Sequence, residues 1–418
     1  MTTAMTVLLG ALSAALALVA AVLLLPTLSD LVSLLRLVVR SNGPRGRGAL
    51  TPAAVGPAPA PPRLLFLIPA HDEELLIGNT IASLRGVDYP EAAMDAVVIA
   101  DNCSDATAEV ARAAGATVLE RRDAVKRGKP YAIEWALGRL PLAEYEAVVV
   151  IDADAVVDRG FARALAAAAP LRDKAAQTYN DVSNPTENAL TRMAAVFSSA
   201  RSVFMNGLKR RVGLNVPLAN GLCLGTSVIA RHGWQAFSIC EDWELYAIFT
   251  ERGVRIDNVP GARVGAQEAK SLKQSSSQRQ RWAAGKITVL RDHIGSLLRS
   301  REIGLHQKLD VLAELTGLGP AVHAGLVVVL AAATLLLRLP GAPLVAGLLL
   351  ASLGRHAVYT LLAVTRDRQP GRALLAFTYL PFYTAWRLGV QLLALTMVGD
   401  KPWVRTQRHV ESTATTPT

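Results

Sequence analysis

Clusters of acidic and basic residues stand directly after apolar runs in this sequence, where a folded chain can present them to a ligand. Asp152-Ala153-Asp154 follows the run at residues 147–151 (AVVVI). Alternate residues at a strand end can carry two carboxylates toward the same side. Two such carboxylates, with the oxygens of a diphosphate, make an all-oxygen site for Mg²⁺ or Mn²⁺. The D-x-D spacing alone is commoner in surface loops, and its position after a buried strand makes it a metal candidate. Lys126-Arg127-Gly128-Lys129 gathers three cations around a glycine and suits a diphosphate, with a solvated basic turn as the plainer alternative. Pro69-Ala70-His71-Asp72-Glu73-Glu74 and Asp101-Asn102-Cys103-Ser104-Asp105 close two further apolar runs, where polar groups can hydrogen-bond a base or ribose. Helix capping competes at Asp72 and is the preferred reading of Ser104.

Two more motifs lie further along. Glu241-Asp242 follows Cys240, and a carboxylate next to a metal-bound donor can be a general base. Gln278-Arg279-Gln280-Arg281-Trp282 follows a serine-rich stretch; arginine holds phosphate and tryptophan stacks on the apolar face of a sugar ring. An interfacial helix with an aromatic anchor would use the same residues.

The elements that must position these groups can be read from apolar patterning. Strand-length apolar runs occupy residues 63–69, 96–100, 117–119 and 147–151. Helix-like spacing fills 74–84, 106–114 (with Gly115 as its C-cap) and 130–140. Continuous apolar strands between helices predict an α/β domain with a parallel sheet covered on both faces.

Outside that domain the chain is apolar. Residues 5–25 carry no charge and are long enough to cross a bilayer core of about 20 residues. A cleaved signal peptide is disfavoured, because no basic segment precedes the run and 31–39 continue it. Arg36, Arg40, Arg45 and Arg47 place the following side in the cytoplasm. Toward the other end, 321–337, 344–364 and 374–398 are apolar, and the spacer with Arg366, Arg368 and Arg372 is expected on the cytoplasmic side. Arg355 and His356 should face other helices; the third segment, with Pro381, Arg387 and Gln391, either spans or lies in the interface. The resulting division is an anchor (1–40), a Gly/Pro/Ala linker (41–62), a catalytic domain (63–270), the Gln278–Trp282 motif with interfacial helices (271–310), a membrane region (311–400) and a tail (401–418).

Composition excludes several classes. Of 418 residues 51% are hydrophobic and 19% charged, against a disordered or coiled-coil chain. The balance of 44 basic and 34 acidic residues suits nucleic acid, anionic lipid or a phosphorylated substrate. Three scattered cysteines (Cys103, Cys223, Cys240) give neither a disulfide scaffold nor a zinc site.

Taken in order, PAHDEE, ADNCSD, KRGK, DAD, CED and QRQRW resemble the membrane-integrated family 2 glycosyltransferases with a GT-A (Rossmann-like) catalytic domain, such as cellulose, hyaluronan and poly-N-acetylglucosamine synthases. Ceramide-glucosyltransferase-like enzymes look similar. The resemblance covers about residues 64–282 and the flanking apolar segments. It implies donor contacts from Pro69, His71, Glu73, Asp101, Lys129 and Asp152, and a metal, Mg²⁺ or Mn²⁺, on Asp154 with Asp152. Asp242, beside Glu241, is implied as the base. Gln278, Arg281 and Trp282 are implied to hold the diphosphate and acceptor sugar. His71, Asp72 and Cys240 depart from the usual residues, and 220–226 (NGLCLGT) stand where an acceptor segment is expected.

The expected activity is therefore inverting transfer from a nucleotide sugar, with UDP expected, to a growing polysaccharide; single transfer to a lipid acceptor is the alternative. Membrane lipids are expected partners and nucleic acid is not. A transporter or scaffold leaves the acidic motifs unexplained, and a nucleotidyltransferase has no need of Gln278, Arg281 and Trp282.

Overall fold

The computed structural model describes residues 3–42 and 60–396; most of the expected linker, Arg45, Arg47 and the tail lie outside the described residues. In chain order the elements are α1 (Thr3–Asn42), β1 (Leu64–Ala70), α2 (Ile77–Arg85), β2 (Met94–Asp101), α3 (Thr107–Ala113), β3 (Thr117–Arg121), α4 (Lys129–Leu137), β4 (Ala147–Val150), β5 (Val156–Val157) and α5 (Phe161–Ala166). There follow β6 (Ala175–Val182), α6 (Ala189–Ser199), a π-helical turn (Ala200–Met205), α7 (Asn206–Val212), β7 (Leu222–Gly225), α8 (Thr226–His232), α9 (Glu241–Glu251) and β8 (Ile256–Ala266). Helices complete the described chain: α10 (Leu272–Arg299), α11 (Leu305–Thr316), α12 (Pro320–Leu336), α13 (Ala342–Ala351), α14 (Leu353–Val364), α15 (Pro370–Ala376) and α16 (Leu380–Leu395).

All eight strands form one sheet in the order β3-β2-β1-β4-β7-β6-β8-β5. The first four are parallel, as their uninterrupted apolar runs predict. The sheet as a whole is mixed, which corrects the purely parallel expectation: β7 is antiparallel to both β4 and β6, and β5 to β8. The later strands escape sequence reading for physical reasons. β7 has four residues, and β8 contains Pro260 and Gly261, which normally demote a strand. In β6, Gln177, Thr178, Asn180 and Asp181 interrupt the apolar run.

Alternation along the strands divides the core. Leu65, Leu67, Val97, Ile99, Val148 and Val150 face α4, α9, α10 and α11. Leu64, Phe66, Ile68, Val98 and Val149 face α2 and α5. Val289, Leu297, Val311 and Leu315 belong to the first of these cores. α10 and α11 thus pack onto the α/β domain.

By length and composition, Thr3–Val39 and Ala342–Val364 are each apolar enough to cross a membrane; α11 and α12, bent by 82°, pass only as a pair. Of the third expected segment, α16 has 16 residues, short of the roughly 20 a span requires, and residues 397–398 lie outside the described set. The ends of these helices sort to two sides. Ser13 in α1 donates to the carbonyl of Pro340 at 2.6 Å, in the turn before α13. Near the other end of α1, Asp30 pairs with Arg355 at 2.7 Å and Ser29 donates to Asp310 at 2.8 Å. Arg192 of α6 reaches Asp367 at 3.1 Å, so the spacer with Arg366, Arg368 and Arg372 lies against the catalytic domain.

Candidate active site

The carboxyl ends of β1, β2 and β4 open onto one edge of the sheet, where ligands bind in open α/β folds. Pro69 stands in β1 beyond the last residue paired with β4, so the ladder there needs no N–H from it. After β1, His71 Nδ1 lies 2.7 Å from the carbonyl of Asp101, tying the β1 loop to the β2 loop. Glu73 is half-buried, and its N–H donates to Thr107 Oγ1 at 2.8 Å.

Asp72 accepts from the backbone N–H of Ser104 at 2.6 Å and from its hydroxyl. Ser104 therefore does not cap α3, which corrects the capping reading. The N-cap of α3 is Ala106, and Asp105 before it accepts from the N–H of Thr107 at 3.0 Å. The ligand atoms of Asp72, Cys103 and Asp105 lie within 4.8 Å of one another, a spacing that could hold a cation. Both carboxylates are already occupied by loop hydrogen bonds.

Asp101 is 4% exposed, and its Oδ1 receives the guanidinium of buried Arg121 at 2.6 Å and the amide of Asn102 at 3.0 Å. Arg121 also reaches Asp123 at 2.9 Å and the carbonyl of Lys126 at 2.5 Å, fixing the root of the Lys126–Lys129 loop. Lys126 and Arg127 are exposed. Gly128, at φ 105°, turns the chain so that Lys129 starts α4 pointing inward.

Lys129 is the hub. Its ammonium lies 2.7 Å from Asp152 Oδ1 and 3.0 Å from Glu241 Oε1, linking the β4 and α9 motifs. Burial opposes its charge, but Asp152 and Glu241 outweigh burial and hold its pKa above the ordinary lysine value. Asp152 is fixed from behind, its N–H donating to Asn220 Oδ1 at 3.0 Å. Asp154 instead lines a cavity of about 430 Å³ with Thr80, Ser183, Asn184 and Glu187. The two carboxylates thus meet different neighbours. The expected acceptor segment at 220–226 is mostly the buried strand β7, so Asn220 serves the D-x-D loop instead.

Asp242 sits in the first turn of α9, with the Cys240 thiol donating to its Oδ1 at 3.6 Å. Burial, then the neighbouring Glu241, push the Asp242 carboxyl up to about 7, with Lys129 opposing. Gln278, Arg281, Trp282 and Gly285 recur at helical spacing on one face of α10. Arg281 is half-buried; burial pulls its pKa below the usual arginine value, while nearby Glu241 supports its charge. Gln278 is half-buried, and Trp282 is 43% exposed with Arg279 4.9 Å from its ring centre.

The structure therefore brings Lys129, Asp152, Glu241, Asp242 and Arg281 together. Arg121 and Asn102 fix Asp101 and the loop leading to Lys129, and Asn220 holds Asp152; none of the three was given a role from sequence. Arg121 and Asn220 act on partners far away in the chain, so nothing local marks them.

The sheet is a mixed α/β sheet whose D-x-D loop and Glu-Asp helix start meet on one lysine. Residues 61–285 match the family described as Glycosyltransferase like family 2, and the chain belongs to that family. It is 25% identical over 244 residues to a probable glycosyltransferase, YdaM, of Bacillus subtilis, covering 55% of this chain and 56% of that one. It is 26% identical over 261 residues to a beta-monoglucosyldiacylglycerol synthase of Trichormus variabilis, covering 60% and 54%. The chain spans about half the length of these curated relatives. Its fold resembles that of the mannosyltransferase PcManGT from Pyrobaculum calidifontis, solved with GDP-Man and Mn²⁺ (TM-score 0.55, 19% identity, 93% of this chain and 98% of that one). The architecture is accordingly GT-A-like.

Proposed function

We propose that this chain is an inverting glycosyltransferase that moves one sugar from a nucleotide-sugar donor to a hydroxyl of a lipid acceptor at the cytoplasmic face of the cell membrane. The observation that carries the reading is the convergence on Lys129 of Asp152 and Glu241, with Asp242 beside them raised to about 7. A general base works best with a pKa near the operating pH.

Asp242 takes the proton of the acceptor hydroxyl as its oxygen bonds the anomeric carbon. The bond from that carbon to the diphosphate oxygen breaks, and charge grows on the departing diphosphate. Lys129 and Arg281 supply fixed positive charge there. Asp154, open to the cavity, and Asp152 are the residues that would hold Mg²⁺ or Mn²⁺; their hard oxygen donors suit either ion. When bound, the ion stabilises the leaving diphosphate as a Lewis acid. One base without a second carboxylate nucleophile gives inversion, so an α-linked donor yields a β-linked product. His71, Glu73, Asp101 and Pro69 are assigned to the nucleoside end of the donor.

The lipid acceptor is favoured by how the helices meet the catalytic domain. Arg355–Asp30, Lys209–Asp310, Lys209–Glu314 and Arg201–Glu314 ion pairs fill the junction of α1, α7, α11 and α14. A growing polysaccharide would need a passage there. The diacylglycerol-linked name of one relative points the same way. We further propose that α1 and α13–α14 span the membrane and that α12, with 17 residues and apolar enough only together with α11, crosses between them, leaving the catalytic domain and the 365–372 spacer inside.

Repeated addition to a polysaccharide is the second reading, favoured by the exposed Trp282 ring beside Arg281, a platform for an acceptor sugar. Purified protein in lipid vesicles, given radiolabelled UDP- and GDP-sugars, separates the two. Label in a solvent-extractable lipid carrying one sugar supports the lipid reading, and label in long chains overturns it.

A further inference from the structure

A glycine inside a long helix costs about 1 kcal/mol relative to alanine, so Gly285 within the 28-residue α10 needs a reason. The reason lies across the helix face. A Cβ at Gly285 would stand 2.6 Å from Cys240 Cβ, 3.1 Å from Ile239 Cγ2 and 3.4 Å from Cys240 Sγ. α10 therefore rests with its backbone directly on Cys240. Gly285 lies four residues beyond Arg281 on the same helix face. Cys240 immediately precedes Glu241, and its thiol donates to Asp242. Burial raises the pKa of this thiol and keeps it a donor. One backbone contact thus sets both the approach of Arg281 to Glu241 and the anchoring of Asp242.

We propose that Gly285 and Cys240 form a seat that fixes the distance between the diphosphate-holding arginine and the Glu241–Asp242 pair, making both of them positioning residues for glycosyl transfer. This rests on the transfer reading above. The side chain at 285 must be absent because the clash is between Cβ atoms, which neither rotamer change nor a shorter thiol side chain relieves. Lifting α10 by even a fraction of an ångström carries Arg281 away from the leaving diphosphate, and a misplacement of about 1 Å can cost on the order of 10²-fold in rate.

The test uses the full chain in lipid vesicles, with initial transfer rates, donor KM and thermal unfolding measured together. Gly285→Ala should lower kcat by roughly 10–10²-fold with donor KM changed far less. Cys240→Gly alone loses the thiol held on Asp242, and adding Gly285→Ala to it should cost little more, since the opposing Cβ is gone. Adding Gly285→Ala to Cys240→Ala should still cost nearly the full amount, since alanine keeps that Cβ. In an Arg281→Ala background, Gly285→Ala should cost little more, because its effect runs through Arg281. If Gly285→Ala alone fails to fold, the Gly285→Ala/Cys240→Gly pair must fold and transfer sugar. Wild-type turnover in Gly285→Ala, an equally small added cost in the Cys240→Ala background, a full additional loss in the Arg281→Ala background, or an unfolded pair overturns the seat. Absence of transfer by the unaltered chain would instead remove the glycosyltransferase reading itself.

Discussion

In the proposed mechanism Asp242 bears the proton transfer, and its surroundings set the pH at which it can act. Burial and Glu241 hold its carboxyl at about 7, and a base must be deprotonated to accept a proton. Transfer should therefore be low below pH 6, rise through about pH 7 and level off above it; a profile flat from pH 5 to 8 would remove Asp242 as the base. Asp242→Asn keeps size and hydrogen bonding but loses the basic oxygen. It should cut transfer by about 10²–10⁴-fold while donor binding, followed by calorimetry, stays near normal. Helix capping does not account for Asp242, because it lies inside the first turn of α9 with Cys240 at the N-cap. Arg121 offers a contrasting case. Its ion pair with Asp101 is buried on both sides (side chains 3% and 6% exposed), so Arg121→Leu strands a buried carboxylate and should cost about 3–5 kcal/mol, read as a fall in unfolding temperature. The acidic motifs were legible in the sequence because each stands at the end of an element. Arg121 was not, because nothing near it in the chain marks the Asp101 partner 20 residues earlier.

At the scale of elements, the loop after β4 carries a division of labour that spacing alone does not reveal. Alternation predicts two carboxylates on one side, yet Asp152 is drawn to Lys129 and Asp154 opens to the cavity. Asp154→Ala should accordingly weaken Mn²⁺ binding, measured by calorimetry, more than Asp152→Ala does. Excess EDTA should abolish transfer, and Mn²⁺ or Mg²⁺ should restore it; undiminished turnover in EDTA would contradict the metal assignment. β1, β2 and β4 were readable because a strand buried on both faces is uniformly apolar, whereas the edge strand β3, TVLER, showed only in its 117–119 run. β7 was not, since Leu222–Gly225 is short and its glycine packs against the backbone of Leu171 and Arg172. Gly221 also eluded reading, although it is required at φ 75° against Thr178 and Val264, directly after the Asn220 that anchors the D-x-D loop. α10 was recognised by its motif, but its burial against α9 depends on Gly285, whose meaning appears only with Cys240 in place.

Across the whole molecule, the catalytic domain is tied to the apolar helices by buried charge. Arg355 and Asp30 are each about nine-tenths buried, so Arg355→Leu alone should destabilise the protein by about 3–5 kcal/mol, whereas Arg355→Leu with Asp30→Leu should recover most of it. Thermal unfolding in detergent checks this, and equal losses in the single and double variants would contradict a buried pair. The sidedness follows from Ser13–Pro340 at one end and Arg192–Asp367 at the other. Because Cys103, Cys223 and Cys240 are all buried, cysteines introduced at the exposed Pro343 and Gln369 can be labelled against a low background. An impermeant reagent applied outside intact cells should reach position 343 and miss 369. All these scales meet in the proposed reaction, the replacement of a diphosphate by an acceptor hydroxyl on the opposite face of the sugar. The most direct measurement is the anomeric configuration, by NMR, of the product formed by the unaltered chain in lipid vesicles from an α-linked nucleotide sugar. A β-linked glycolipid is the predicted result, and an α-linked product, or hydrolysis of the donor without transfer, would contradict a single-base inverting transferase.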